Sequence, residues 1–390
     1  MSVLGCGGAP PDGGPPAARE TARPAVETAA PGTSGNDPNR STPETAPAAG
    51  QDAPVPLDLP SGPVTDRTPD RETVPAAGSA PSGTVDPARP AGVPAGPAAG
   101  APADAGRVVL HISRDFGRTV LFSREVELRP GDTVLAVLSR NVTVQTAYGG
   151  AFVNGIEGLV SGYTGRTGVR EQRDWLYWVN GVAAAQGPAQ YRPRPGDFIW
   201  WDYQDWGAGQ MANAVVGAFP RPFVTGPGRE KGGALVIHAP GREGEAARLK
   251  DALEKHGVSP AVEVAPLENS PVERREKPAL IVGTWEELSG VKILARFNDQ
   301  GPRSGLHLRL APGEVVRLGP DGRETGRHGA KTGALWALGN GPGDPAPLFV
   351  VTGTDAAGLA AAVELLTRNE FPLRGAFAVV VTPGGAFPVP

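Results

Sequence analysis

Asp174-Trp175-Leu176-Tyr177-Trp178-Val179-Asn180-Gly181, followed after a short interval by Pro195-Gly196-Asp197-Phe198-Ile199-Trp200-Trp201-Asp202-Tyr203-Gln204-Asp205-Trp206, decides how the chain reads. Five of the seven tryptophans (175, 178, 200, 201, 206) and three of the five tyrosines (177, 191, 203) fall between Asp174 and Trp206. Leu176–Val179 and Phe198–Tyr203 have the aromatic and β-branched make-up of strands. Asn180-Gly181 marks a tight turn, because both residues tolerate positive φ. Pro195-Gly196-Asp197 marks a second turn. Alternation sends neighbouring side chains to opposite faces, so Trp200 and Trp201 cannot share one. One face is expected to fill a core and the other to be partly exposed. The aromatic excess then has two readings: a core with an aromatic girdle, or a surface that stacks against a ligand or partner.

Outward from this stretch, composition divides the chain. Its 390 residues include 55 Gly and 43 Pro, about twice the usual share, which signals a long non-globular segment. Residues 7–105 are rich in Ala, Pro, Gly and Thr and nearly free of large apolar side chains. Such a segment cannot offset its chain entropy by burial and is expected to be a disordered tether. A coil of that length spans roughly 55 Å on average, enough to lift a domain away from a surface. Net charge is −4, and no dense Lys/Arg cluster points to nucleic acid. With one cysteine, Cys6, there is neither an internal disulfide nor a cysteine-based metal site.

Val3-Leu4-Gly5-Cys6-Gly7 resembles the end of a bacterial lipoprotein signal, in which the cysteine is lipidated after cleavage. That resemblance implies an extracytoplasmic, membrane-anchored protein held by its lipid alone, residues 1–6 being the remnant of a signal that starts further upstream.

The first folded domain is expected over 106–223. Val108–Ile112 and Thr119–Leu128 read as strands. Asp132 reads as N-cap for a helix over Thr133–Ser139, where Val134, Leu135 and Leu138 fall at helical spacing. Val142–Thr146 and Ala151–Leu159 read as further strands. Two strands, a helix and then several strands is the order of a β-grasp-like α+β domain. A second, separate α/β sheet domain is expected over 233–390. It has strands at Ala234–His238, Ala279–Gly283, Leu348–Gly353 and Phe377–Val381, a helix over Glu245–His256, and another over Ala356–Thr367 capped by Asp355.

Four segments of the first domain carry a family resemblance: Ser113–Gly117, Thr146–Val153, Asp174–Gly181 and Pro195–Tyr203. They resemble a bacterial surface domain of unassigned function, related to the C-terminal β-domain of transcobalamin and intrinsic factor. The shared elements are Tyr148-Gly149-Gly150-Ala151-Phe152-Val153, the pair Tyr177-Trp178, and Ala189-Gln190-Tyr191-Arg192-Pro193-Arg194-Pro195-Gly196. The resemblance implies a ligand-binding module that lies over one face of a planar ligand, cobalamin or another corrinoid. It implies ligand contacts from Tyr148, Gly149, Phe152, Tyr177, Trp178, Asn180, Val182, Ala184, Gln186, Tyr191, Trp200 and Trp201. It also implies a membrane importer, or a helical partner protein covering the other ligand face. The rival expectation is an adhesion or scaffold protein whose aromatic face binds protein or glycan.

Nothing points to catalysis, a required cofactor or a metal. No Gly-x-Ser-x-Gly, Walker loop or His-Glu-x-x-His occurs. The run Gly339–Asp344 reads as a loop, since Pro342 and Pro345 spoil a helix start. His111 and His307 read as structural, His328 as a loop residue, and His256 as a cation suited to a helix C-terminus. Asp202 and Asp205 read as a solvated strand edge.

Overall fold

The computed structural model describes residues 106–163, 171–207, 209, 211–225, 233–259, 261–368 and 372–390. The expectations for Cys6 and for residues 7–105 lie outside them.

The aromatic stretch builds the centre of a five-stranded sheet. Its strands are β1 (Gly106–Arg114), β2 (Thr119–Leu128), β6 (Arg173–Val179), β7 (Val182–Ala183) and β8 (Phe198–Asp205), in the order β2-β1-β8-β6-β7. β8 lies parallel to β1 and antiparallel to β6, so it is an inner strand with no free edge. Helix α1 (Val134–Asn141) crosses one face. A small sheet of β3 (Val144–Ala147), β4 (Phe152–Ile156) and β5 (Leu159–Val160) stands beside it. Thr133, not Asp132, caps α1: its side chain accepts from Ala136 N–H at 3.2 Å. Asp132 is engaged elsewhere, accepting from Arg129 N–H and pairing with Arg140. The turn Asn180-Gly181 has φ of 52° and 78°, the geometry its residues favour.

A short helix, α2 (Arg221–Val224), precedes the second half. There β9 (Ala234–His238), β10 (Val262–Pro266), β11 (Ala279–Val282), β15 (Gly333–Leu338), β16 (Leu348–Gly353), β17 (Ala378–Thr382) and β18 (Gly385–Val389) form a seven-stranded mixed sheet. β9, β10, β11 and β16 run parallel, and β15, β17 and β18 are antiparallel additions. Helices α3 (Glu243–Lys255) and α6 (Ala356–Leu366) supply Leu249, Leu253, Leu359 and Val363 to the core on one face. On the other face pack α4 (Trp285–Leu288), α5 (Lys292–Gln300) and a three-stranded sheet of β12 (Leu308–Ala311), β13 (Glu314–Leu318) and β14 (Glu324–His328). His328 therefore ends a strand rather than sitting in a loop. The whole is a mixed α+β protein with several sheets and few helices.

The two halves share a core, and this revises the expectation of a separate second domain and a half-exposed aromatic face. Alternation puts Val108, Leu110, Ile112, Trp175, Tyr177, Ile199, Trp201 and Tyr203 on the α1 side. Val109, Trp178, Phe198 and Trp200 point the other way, where Ala212, Val215, Ala218 and Phe377 cover them. Phe377, just ahead of β17, meets Trp178 at 5.3 Å, Trp200 at 4.9 Å and Phe116 at 5.3 Å between ring centroids, all edge-on. Trp178 and Trp200 expose nothing, and Trp201 only 1%. Burying an aromatic side chain stabilises by roughly 1.5–3 kcal/mol, so the second half is an energetically substantial lid on the first.

Candidate functional site

The residues singled out by resemblance separate into a rim and an interior. The rim begins where β3 hands over to β4. Tyr148, Gly149 and Gly150 follow one another with φ of 53°, 66° and 90°. Left-handed backbone is sterically costly for a bulky residue, and three successive such residues turn the chain sharply. A Cβ on Gly149 would meet nothing within 4 Å, so glycine is needed there for its φ, not for space. A Cβ on Gly150 would lie 3.4 Å from Leu135 of α1, which fixes the turn over that helix. Tyr148 is held 77% exposed at the apex. Phe152 is half-buried below it.

The loop after β7 is the rim's second segment. Ala184 is half-buried, and Ala185, Gln186 and Gln190 are exposed. The Gln186 carbonyl accepts from the Tyr177 hydroxyl. Leu135 N–H donates to the Pro188 carbonyl at 2.8 Å and Val134 N–H to that of Tyr191 at 2.9 Å. The free amides at the start of α1 thus tie this loop down. The loop meets the first turn at Gly187, whose Cβ position lies 3.4 Å from the Ala151 carbonyl oxygen. Burial pushes the Tyr191 phenol up to about 12, with Asp197 adding to the effect. Tyr148, Gly149, Phe152, Ala184, Gln186 and Tyr191 therefore gather along one border of the sheet.

The other six residues lie inside. Tyr177 stacks on Trp201 at 4.7 Å, and burial raises its phenol pKa. Trp178 Nε1–H donates to the Ala212 carbonyl at 2.7 Å. Asn180 is 2% exposed. Its Nδ2 donates to Asp197 Oδ1 at 2.8 Å and to the Thr225 carbonyl at 3.1 Å, and its Oδ1 accepts from Phe198 N–H at 2.8 Å. Val182 is 1% exposed and bridges to Ala214. Trp200 Nε1–H donates to Ser113 Oγ at 2.7 Å. These side chains are buried against neighbouring residues and offer little surface to a ligand. Tyr177 and Trp201 are covered on the α1 side, and Trp178 and Trp200 by the connecting segment and Phe377.

Two features have no local signature in the sequence. The loop Gly339–Asp344 closes over β7: Gly343 N–H donates to the Ala183 carbonyl at 2.7 Å, anchored by the buried pair Arg275–Asp344 at 3.3 Å. Asp202 is fully buried rather than a solvated edge. It accepts from Ser113 Oγ–H at 2.6 Å, Phe116 N–H at 2.9 Å and Gly117 N–H at 2.8 Å. Burial nevertheless pushes its carboxyl up to about 6. His256 also departs from expectation: partial burial lowers its pKa and favours the neutral ring. Among the described residues, no three His, Cys, Asp or Glu side chains gather as a metal site would require.

This arrangement defines a mixed α+β protein whose aromatic sheet is closed on both faces and whose border carries an exposed tyrosine. Residues 131–205, which hold the rim and most of the aromatic stretch, match a domain family described as a domain of unknown function, DUF4430. No curated protein matches the chain. Among solved structures it is similar to haptocorrin in complex with Cbi, at 16% identity and a TM-score of 0.21 over 26% of each chain. It is also similar to a candidate metal-binding protein from Ruminococcus gnavus ATCC 29149, at 13% identity and a TM-score of 0.20. That match spans 26% of this chain and 97% of the other. The chain thus spans about a quarter of the haptocorrin chain.

Proposed function

We propose that the border formed by Tyr148, Gly149, Phe152, Ala184, Gln186 and Tyr191 binds one face of a planar ligand. The class the sequence resemblance favours is a corrinoid such as cobalamin. In this reading the first half is a β-grasp-like ligand-binding domain. The chain is an extracytoplasmic lipoprotein anchored through Cys6, capturing the ligand for a membrane importer or sharing it with a helical partner over the opposite face. The role is binding, without a catalytic step.

One observation carries the proposal: Tyr148 is 77% exposed and sits at φ 53°. A bulky side chain held in left-handed backbone costs of order 1–3 kcal/mol. Its ring makes no hydrogen bond or ring contact with another described residue, so the side chain contributes little that offsets the strain. Strain of that kind is retained where an exposed side chain has a use. An exposed aromatic face beside the small side chain of Ala184 and the exposed amide of Gln186 suits a flat ligand with a polar edge.

With one ligand face covered, the dissociation constant should be on the order of micromolar. The test is calorimetric titration of the whole chain with cobalamin, cobinamide and haem. The isolated 106–223 fragment is unsuitable, because Trp178 and Trp200 would lose Phe377 from their cover. Heat that disappears in Tyr148→Ala, with the melting temperature unchanged, supports the reading. No heat near a ligand concentration of ~1 mM, with the protein folded, sinks it and leaves the adhesion or scaffold reading.

A further inference from the structure

A cavity of about 470 Å³ opens at the seam between the two halves, away from the rim. Phe198 and Val109 of the first sheet form one wall, and Phe219 and Arg221 come from the connecting segment. His256, at the end of α3, and Arg374, ahead of β17, come from the second half. Two guanidiniums and the His256 ring, which burial keeps neutral, thus border the space, and no acidic side chain lines it among the described residues. Arg374 places its guanidinium 5.9 Å from the Phe198 ring centroid. His256 stands edge-on to Phe219 at 5.8 Å. Asp197 feels the charge of Arg221, yet its oxygens already accept from Asn180 Nδ2 at 2.8 Å and Arg194 N–H at 2.7 Å. Among the described residues no carboxylate forms an ion pair with Arg221 or Arg374, and both line the cavity.

We infer that this seam cavity binds a small organic anion, a carboxylate or phosphate carried on an apolar body. The two guanidiniums supply planar, multi-donor recognition of the anionic group. Phe198 and Phe219 supply the walls for the apolar part. The volume lies in the usual range for small-molecule sites, ~300–1,000 Å³. Both halves contribute, so an occupant ties the halves together and stabilises the folded chain by mass action.

The whole chain would be titrated with benzoate, phenyl phosphate, inorganic phosphate and the neutral analogue benzyl alcohol, by calorimetry and thermal denaturation. The expected result is binding of benzoate or phenyl phosphate with a raised melting temperature, and at least about tenfold weaker binding of benzyl alcohol. Preference between the two aromatic anions distinguishes carboxylate from phosphate, and inorganic phosphate alone measures the share of the apolar walls. Arg374→Gln with Arg221→Gln should weaken the anion by about tenfold or more. Tyr148→Ala should leave it unchanged, so failure here is separate from failure at the rim. Equal affinity for benzyl alcohol, or no anion binding near ~1 mM, overturns the inference. The neutral comparison needs only the unaltered protein and holds even if the double variant does not fold. Should the variant fold and bind benzoate unchanged, the inference fails as well.

Discussion

The two faces of the five-stranded sheet are made of the same kinds of residue and closed by different means. The face bearing Trp175, Tyr177, Trp201 and Tyr203 is closed from within the first half, by α1 through Val134, Val137 and Leu138. The face bearing Trp178, Phe198 and Trp200 is closed by the connecting segment and by Phe377, far along the chain. The polar groups of the first face are the hydroxyls and indole nitrogens of its aromatic residues. The second holds His111, Ser113 and Asp202, three buried polar groups beside the seam. A sheet buried on both faces needs two covers. Aromatic alternation announces the need but not the cover, because a ligand, a partner and a distant domain all remove the same apolar surface from water.

The strongest way to break the comparison is to remove the distant cover. Phe377→Ala should cost about 3–5 kcal/mol, measured by denaturant unfolding, since its ring meets Trp178, Trp200 and Phe116 at once. Leu138→Ala, on the α1 side, should cost about 2–5 kcal/mol. The two should differ in reach. Phe377→Ala should lower amide protection in β8 and β17 together, whereas Leu138→Ala should act on the first half. Loss of protection in β17 alone would show that the seam is not a shared core.

Acid sharpens the contrast next, because His111 and Asp202 lie on the seam face and His307 packs against it through Phe116. Burial pushes His111 down to about 4, with Arg374 adding to the effect. Burial does the same to His307, which packs edge-on against Phe116. Both are depressed bases, so their stabilisation is complete above the ordinary value of 6.5 and is lost as pH falls through about 4. Asp202 opposes them: its carboxyl is raised from 3.8 to about 6, so its contribution is present below 3.8 and lost as pH rises through 6. Two groups outweigh one, and acidification from pH 6.5 to 4 should destabilise the chain by a net on the order of 3 kcal/mol. Asp202→Asn removes the opposing group and should steepen the loss. A stability flat over that range would contradict the assignment of these groups to the buried seam.

Several of these features are legible in the sequence itself. Thr119–Leu128 is bounded by its turns, Asn180-Gly181 declares itself by its tolerance of positive φ, and α6 by Asp355, whose side chain accepts from Gly358 N–H at 2.8 Å. The three-stranded sheet is not, because β14, Glu324–His328, has no apolar alternation to betray it. Helix α4 does carry a local signal, the capping box of Thr284 and Glu287. Asp202 is buried, against expectation, because its strand lies between β1 and β6, a position fixed by pairing that spans most of the first half. The candidate site is half legible. Tyr148 and Gly149 emerge at the rim, but Trp178, Asn180 and Trp200 go inside, for no local pattern tells a ring that covers a ligand from one that covers Phe377.

Smaller effects are expected at the apex of the rim, where Tyr148 is 77% exposed. Gly149→Ala meets open space, so only its φ of 66° resists the change. It should cost about 1 kcal/mol, far less than removing Phe377, and should weaken planar-ligand binding by displacing Tyr148. A cost above about 3 kcal/mol would mean that the turn supports the core and is not a presenting device.

The smallest stability effect should be the most informative, because its sign is unusual. Tyr148→Ala removes a ring that is 77% exposed and should change stability by no more than about 0.5 kcal/mol. Tyr148→Gly removes the same ring and also relieves the left-handed backbone at φ 53°, and should stabilise the chain by roughly 0.5–1 kcal/mol. Both variants should lose the planar ligand. A substitution that stabilises the fold while abolishing binding identifies strain maintained for use, whereas at Trp178 stability and binding should fall together. The comparison needs chemical denaturation and calorimetry on the same three proteins. If Tyr148→Gly destabilises the chain, the ring is a packing element. If both variants bind cobalamin, cobinamide or haem as the unaltered chain does, the rim is not the ligand site.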